Sequence, residues 1–192
     1  MSLPANLRLK RDQLDAFRRS IRALTEKEVL VGFPQESAER DPEPGEDSQP
    51  ITNAALGYIH NNGAPEQNIP QREFMESGIA SVRDELIDQL EDVARHLVVH
   101  GGTEETVEKL MHRVGMTAEL ALKNKVNEGI PPPLAESTLK DRARRGRKGA
   151  KMELARRAEG EDPSTQFAKP LIDTTQMRNA IKYVIRSTKQ RK

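Results

Sequence analysis

Four histidines, at positions 60, 96, 100 and 112, are the side chains able to ligate a metal through nitrogen or move a proton near neutral pH. His96 and His100 are four residues apart, so a helix would place both on one face, as zinc-binding histidines are placed. The metalloprotease form of that pair has Glu directly after the first His, where this protein has Leu97, and no obvious third ligand accompanies it. The sequence has no cysteine, which excludes thiolate zinc sites, a thiol nucleophile and a disulfide framework. Gly146-Arg147-Lys148-Gly149-Ala150-Lys151 is basic and glycine-containing but lacks the spacing of a phosphate loop, and no G-x-S-x-G turn is present for a nucleophile elbow. The abundant Glu and Asp read as solvated helix faces. No enzymatic activity, catalytic residue, metal or cofactor is expected.

Charge offers a different chemistry. The formal net charge is +1, yet residues 35–50 carry six acids against Arg40, and residues 140–160 carry nine Lys or Arg against Asp141, Glu153 and Glu159. Basic clusters supply the sequence-independent part of nucleic-acid affinity, which makes 140–157 a candidate contact, with Arg144, Arg145, Arg147 and Lys148 near its centre. No aromatic residues interleave with the basic ones, as a single-strand platform requires, and no reading helix is evident. Both charged stretches are poor in large apolar residues. They read as flexible loops, at 35–50 and about 142–165, that become ordered against a partner.

These residues need a frame to hold them. In 192 residues, 35% hydrophobic and only 3% aromatic, a core must be built of Leu, Ile, Val, Met and Ala, which favours helices over a sandwich. None of the twelve prolines falls between Pro70 and Pro131, so that stretch is the helical body. Met75, Ile79, Val82, Leu86, Leu90, Val93 and Leu97 recur at spacings of three and four, predicting one amphipathic helix over about 71–99. His100-Gly101-Gly102 ends it, and Thr103 caps a second helix over 104–128 with Glu104 and Glu105 in its first turn. The stripe of that helix is Val107, Leu110, Val114, Ala118, Ala121 and Val126, and it stops at Gly129 before three prolines.

Leu7, Leu14, Phe17, Ile21 and Leu24 predict a further helix near the N-terminus. Val29–Phe33 reads as a buried strand and Ile181–Arg186 as a second one. Two strands alone make a marginal sheet, so a third strand or extension through a neighbouring subunit is expected. The predicted fold class is α+β: a helix-rich single domain over residues 1–192, two long amphipathic helices packed on a small sheet, and extended charged loops. No apolar run approaches the ~20 residues needed to cross a bilayer, and the first residues lack the apolar stretch of a signal peptide. A soluble protein made in the cytoplasm is expected.

Three stretches carry a family resemblance. The first is Val29-Leu30-Val31-Gly32-Phe33-Pro34. The second runs from Ala54 to Ala64 (AALGYIHNNGA) and continues as Ile69-Pro70-Gln71-Arg72-Glu73-Phe74. The third is Gly129-Ile130-Pro131-Pro132-Pro133-Leu134 with Ser137, Thr138 and Lys140, followed by Lys169-Pro170-Leu171-Ile172-Asp173-Thr174-Thr175-Gln176-Met177-Arg178-Asn179-Ala180-Ile181. Together they resemble the small tail-component proteins of tailed bacteriophages, whose patterns run V-x-V-G-[IF]-P, I-A-x-I-H-E-x-G then I-P-x-R-P-F, and K-P-L-I-D-T-G-Q-L-R-x-S-I. This sequence departs from those patterns at Asn61, where an acid is common, at Glu73, where proline is common, and at Thr175, which replaces the usual glycine.

The resemblance implies a virion structural protein of the neck, of the tail-completion or head–tail joining class, which includes tail terminators. Such a protein forms a homo-oligomeric ring, hexameric or dodecameric, around the DNA channel. Its partners would be itself, adjacent neck, connector or tail-tube proteins, and genomic DNA without sequence specificity, with no membrane involved. It would reside in the virion, and in the host cytoplasm during assembly. The alternative is a nucleic-acid-binding accessory protein that uses 140–157. In the ring reading, Arg144, Arg145, Arg147 and Lys148 face a neighbouring subunit or the DNA channel. The motif residues themselves read as structural punctuation. Asp173 would cap a short helix with Gln176 reaching back in a capping box, and Pro170 would stiffen the approach. Gly63 suits a positive φ after a helix ending near His60, while Pro70 and Phe74 anchor the next helix on the core.

Overall fold

The computed structural model describes residues 14, 15, 18, 19, 21–42 and 50–190. Leu7 and Phe17 of the N-terminal stripe and positions 43–49 of the acidic stretch lie outside the described residues. After a helical run at 21–25, the elements in sequence order are β1 (Lys27–Gly32), α1 (Gln35–Ala38), α2 (Asn53–Asn62), α3 (Phe74–Ala80), α4 (Arg83–His100), α5 (Glu104–Glu128), α6 (Glu136–Arg144), α7 (Lys148–Ala158), α8 (Gln176–Ala180) and β2 (Lys182–Ser187). The fold is α+β and helix-rich, and among the described residues its β component is one antiparallel pair, β1 with β2. The protein divides into two compact units, one comprising residues up to Val31, Val82–Ala118 and Tyr183 onward, the other Gly32–Ser81 and Glu119–Lys182.

In the first unit the sequence signals act as written. Thr103 accepts the Thr106 N–H through Oγ1 at 3.3 Å, opening α5 at the predicted residue, and α4 ends where the Gly101 N–H donates to Leu97 O at 3.0 Å. Val93 and Leu97 of α4 meet Val107 and Met111 of α5, with Val29 of β1 and Ile185 of β2 packed against them. The long helices therefore lie on the sheet. A Cβ at Gly115 would collide with the Tyr183 ring, so a mid-helix glycine, which costs roughly 1 kcal/mol against alanine, lets β2 approach α5 closely. The Tyr183 hydroxyl then sits 2.9 Å from His112 Nδ1.

In the second unit, Thr52 caps α2 by accepting the Ala55 N–H at 3.2 Å. Gly63, just past the helix, has φ 78°, and the N–H of residue 63 donates to Ile59 O at 2.7 Å, as its type and place predict. Asn61 stands where the resembled phage pattern has an acid, and its contacts suit an amide. Its Oδ1 accepts the Met75 N–H and its Nδ2 donates to Glu76 Oε2, both at 3.0 Å, and an acid there would instead repel Glu76. Phe74 is fully buried, edge-to-face with Phe33 at 6.4 Å between ring centroids. Leu134, Leu139, Ala150 and Ala168 form a small core between α6 and α7, with Ala143 and Leu154 against it.

Four expectations are corrected. The single helix over 71–99 is two, α3 and α4, interrupted at Ser81 and Val82. There Ser81 Oγ donates to Gly78 O at 2.7 Å and Ser77 Oγ donates to Glu73 O, hydroxyls that compete with the helical ladder. Second, Leu90 is 41% exposed and Gln89 is buried in its stead. The buried Gln89 amide nitrogen is satisfied, Nε2 donating to Glu85 Oε1 and Thr117 Oγ1, each at 3.0 Å, while its Oε1 is buried without a partner. Third, the strand at 27–32 is half-buried along its length rather than buried, since a two-stranded sheet has too little flanking structure to cover it. Fourth, much of 142–165 is not a loop, because α6 and α7 extend through Arg144 and from Lys148 to Ala158. Ala, Arg and Lys are strong helix formers, and the alanines supply a core that needs no large side chains.

Ile87, Leu90 and Val98 thus form a second apolar stripe on α4, exposed and about 100° round from the buried one. Leu97→Ala is expected to cost about 2–5 kcal/mol in urea unfolding, and Leu90→Ala less than about 1 kcal/mol. Equal losses would show the helix phase to be wrong.

Candidate functional site

The basic stretch and the K-P-L-I-D run, which look unrelated in sequence, are joined by one buried arginine. Arg142, on α6, donates from Nη1 to Lys169 O and Ile172 O at 2.9 and 2.8 Å, and from Nη2 to Pro170 O at 2.9 Å. Its Nε stands 3.7 Å from Asp173 Oδ2. Asp173 also accepts from Arg145 Nη2 at 2.6 Å and Arg147 Nε at 2.9 Å. The carboxylate therefore draws in three guanidinium groups rather than capping a helix.

That overturns the capping box. The residue before α8 is Thr175, at φ 66° and with its hydroxyl making no cap, and Gln176 pairs with the Asp41 backbone instead, accepting its N–H at 2.9 Å and donating to its carbonyl at 3.3 Å. Position 175, where the phage pattern has glycine, is left-handed here, and a β-branched residue is strained in that conformation.

Of the four candidate contact cations, Arg145 and Arg147 are held by Asp173, exposed Arg144 pairs with Asp141, and Lys148 is exposed at the start of α7. A second internal sink lies one helix on. Glu153 is fully buried and accepts from Arg156 through two bonds of 3.1 Å, from Arg157 Nε at 2.9 Å, and from the N–H and hydroxyl of Ser164 at 2.8 and 3.3 Å. Burial pushes its pKa up, but the bonds from Arg156, Ser164 and Arg157 outweigh burial and bring it down to about 2. The sequence reading placed Glu153 among solvated acids. The spacing of Arg156 and Arg157, three and four residues on, was the available signal.

Gly63, Pro70 and Pro170 come together on a cleft of about 680 Å³ that His60, Arg72 and Arg142 also line. Phe74 lies in the core and Gln176 on α8, outside it. The Arg72 N–H donates to His60 O at 2.8 Å, fixing the backbone after α2 against the end of that helix. His96 and His100 pack ring to ring at 4.9 Å, and among the described residues no group of three His, Asp or Glu side chains could hold a metal ion. No helix among the described residues is long and apolar enough to cross a membrane.

Compared with family models, curated proteins and solved structures, the protein matches none.

Thr175→Gly is expected to raise stability by about 1 kcal/mol, read as a higher urea midpoint, because it relieves the left-handed strain. Glu153 gives a pH dependence. Its carboxyl is depressed from the ordinary 4.5 to about 2, so its stabilisation is full above pH 4.5 and is lost as pH falls toward 2. Glu153→Gln should be less stable at pH 7 by on the order of 3 kcal/mol and should show a flatter acid limb in thermal melts from pH 6 to 2.

Proposed function

We propose that the protein is a structural virion component of the bacteriophage neck, completing the tail and joining it to the head connector as a ring around the DNA channel. The observation that carries this reading is convergence. Segments 60–72, 133–138 and 169–173, parts of the stretches that resemble the tail-component proteins, fold into one unit and meet at one cleft. Sequence matches arising by chance would have no physical reason to meet.

Two features support self-association. The exposed Ile87, Leu90 and Val98 stripe on α4 is apolar surface that a neighbouring copy would cover. A two-stranded sheet has an outer edge on each strand, which a neighbour's strand or loop can extend. The alternative, a nucleic-acid-binding accessory role for 140–157, is the weaker reading because Asp141, Asp173 and Glu153 engage Arg144, Arg145, Arg147, Arg156 and Arg157 internally. Contact with genomic DNA in the channel is then non-specific and weak in the free protein.

Virions carrying a label on this protein should show it at the head–tail junction by electron microscopy, and a label elsewhere or absent would overturn the proposal. Leu90→Asp should leave the circular dichroism spectrum unchanged while abolishing ring particles of the purified protein. Normal rings from that variant would remove α4 from the interface.

A further inference from the structure

We propose that the cleft lined by His60, Arg72 and Arg142 is a receptor site for a carboxylate carried on a peptide segment of a partner protein. The inference goes beyond the neck assignment and does not depend on it. Arg72 is 4% exposed, yet among the described residues no carboxylate pairs with it. Its Nη2 donates to Pro132 O at 2.8 Å and its Nη1 reaches Pro70 O at 3.4 Å, while the Nε–H has no acceptor. His60 Nδ1 is likewise buried without a partner. A buried guanidinium with no counter-charge and with one N–H lacking an acceptor is costly unless something external supplies them.

The surroundings sharpen the sign. Arg142 adds a second cation on the same cleft, with its Nη groups already committed to three backbone carbonyls. Burial first, then Arg72 and Arg142, hold the His60 pKa below its ordinary value, and burial followed by Arg142 lowers that of Arg72. An anion entering the cleft would relieve both repulsions.

The donor inventory selects among anions. One guanidinium N–H and, in the tautomer that carries its proton on Nδ1, the His60 imidazole match the two oxygens of a carboxylate, whereas a phosphate brings three oxygens and nearly two charges. Ile69, Pro70, Leu134 and Pro170 give the cleft apolar walls, which a free ion would leave uncovered and a peptide would fill. The occupant is therefore an acidic side chain or a terminal α-carboxylate presented on an extended segment.

The test is a titration of the full-length protein at constant ionic strength, following the Arg72 Nε–H resonance by NMR. The probes are a blocked tripeptide, acetyl-Gly-Glu-Gly-amide, its Gln counterpart, acetyl-Gly-Gly with a free C-terminus, and inorganic phosphate. Saturable shifts with the Glu peptide or the free C-terminus, absent with the Gln peptide, are expected, and whichever binds tighter identifies the source of the carboxylate. Arg72→Lys, which keeps the charge and removes the Nε–H, should weaken binding about tenfold. If that variant does not fold, the wild-type titration decides alone. No saturable shift with either carboxylate, an equal response to the Gln peptide, or tighter binding of phosphate would overturn the proposal, the last assigning the cleft to a phosphate-bearing ligand such as nucleic acid.

Discussion

The Arg142 guanidinium is the constraint on which the second unit depends. Three backbone carbonyls of residues 169–172 converge on it, and backbone oxygens taken out of water need donors. The group fixes the course of that segment over α6, and the course of the segment fixes Asp173. Asp173 then gathers Arg145 and Arg147 across the turn between α6 and α7, and the alanine-rich interface of the two helices closes beneath them. One arginine thereby turns a run of like charges, which would otherwise repel, into a packed helical hairpin.

The same unit treats buried charge in two ways. Glu153 is saturated: two arginines and Ser164 fill the directions from which its oxygens can accept. Arg72 is left short, with one buried nitrogen unserved, and its side chain lines a cleft. The first arrangement rigidifies and the second leaves a site able to respond to a ligand, although both residues are almost wholly removed from water.

What the sequence revealed follows the range over which each interaction acts. α5 was legible to the residue because its start and stop are local: Thr103 caps three residues ahead, and Gly129 with the prolines ends it. The α+β class and both strands were legible from periodicity and β-rich runs. The break at Ser81 was missed because the apolar spacing runs through it unchanged, and Leu90 was misplaced because a long-range partner, Thr117, makes Gln89 buriable. Asp173 and Gln176 have capping-box spacing, but arginines 26 and 28 positions away and the Asp41 backbone take them instead. The cleft was legible only in part. Gly63, Pro70 and Pro170 were singled out and His60 was named among the four histidines, while Arg72 stood only as a motif residue, because nothing local distinguishes a paired arginine from an unpaired one.

The pairing of β1 with β2 also governs the order of events at the ribosome. Glu28 and Arg186, joined across the sheet at 2.7 Å, are 158 positions apart. At ordinary rates of synthesis the first strand waits on the order of 10 s for its partner to emerge, a long exposure for an apolar β segment. Both long helices are made within that interval, and Val93, Leu97, Val107 and Met111 are available to shelter Val29 before the second strand arrives. The contacts of Val29 with the helices need no second strand, whereas the sheet needs a polypeptide translated past Ser187.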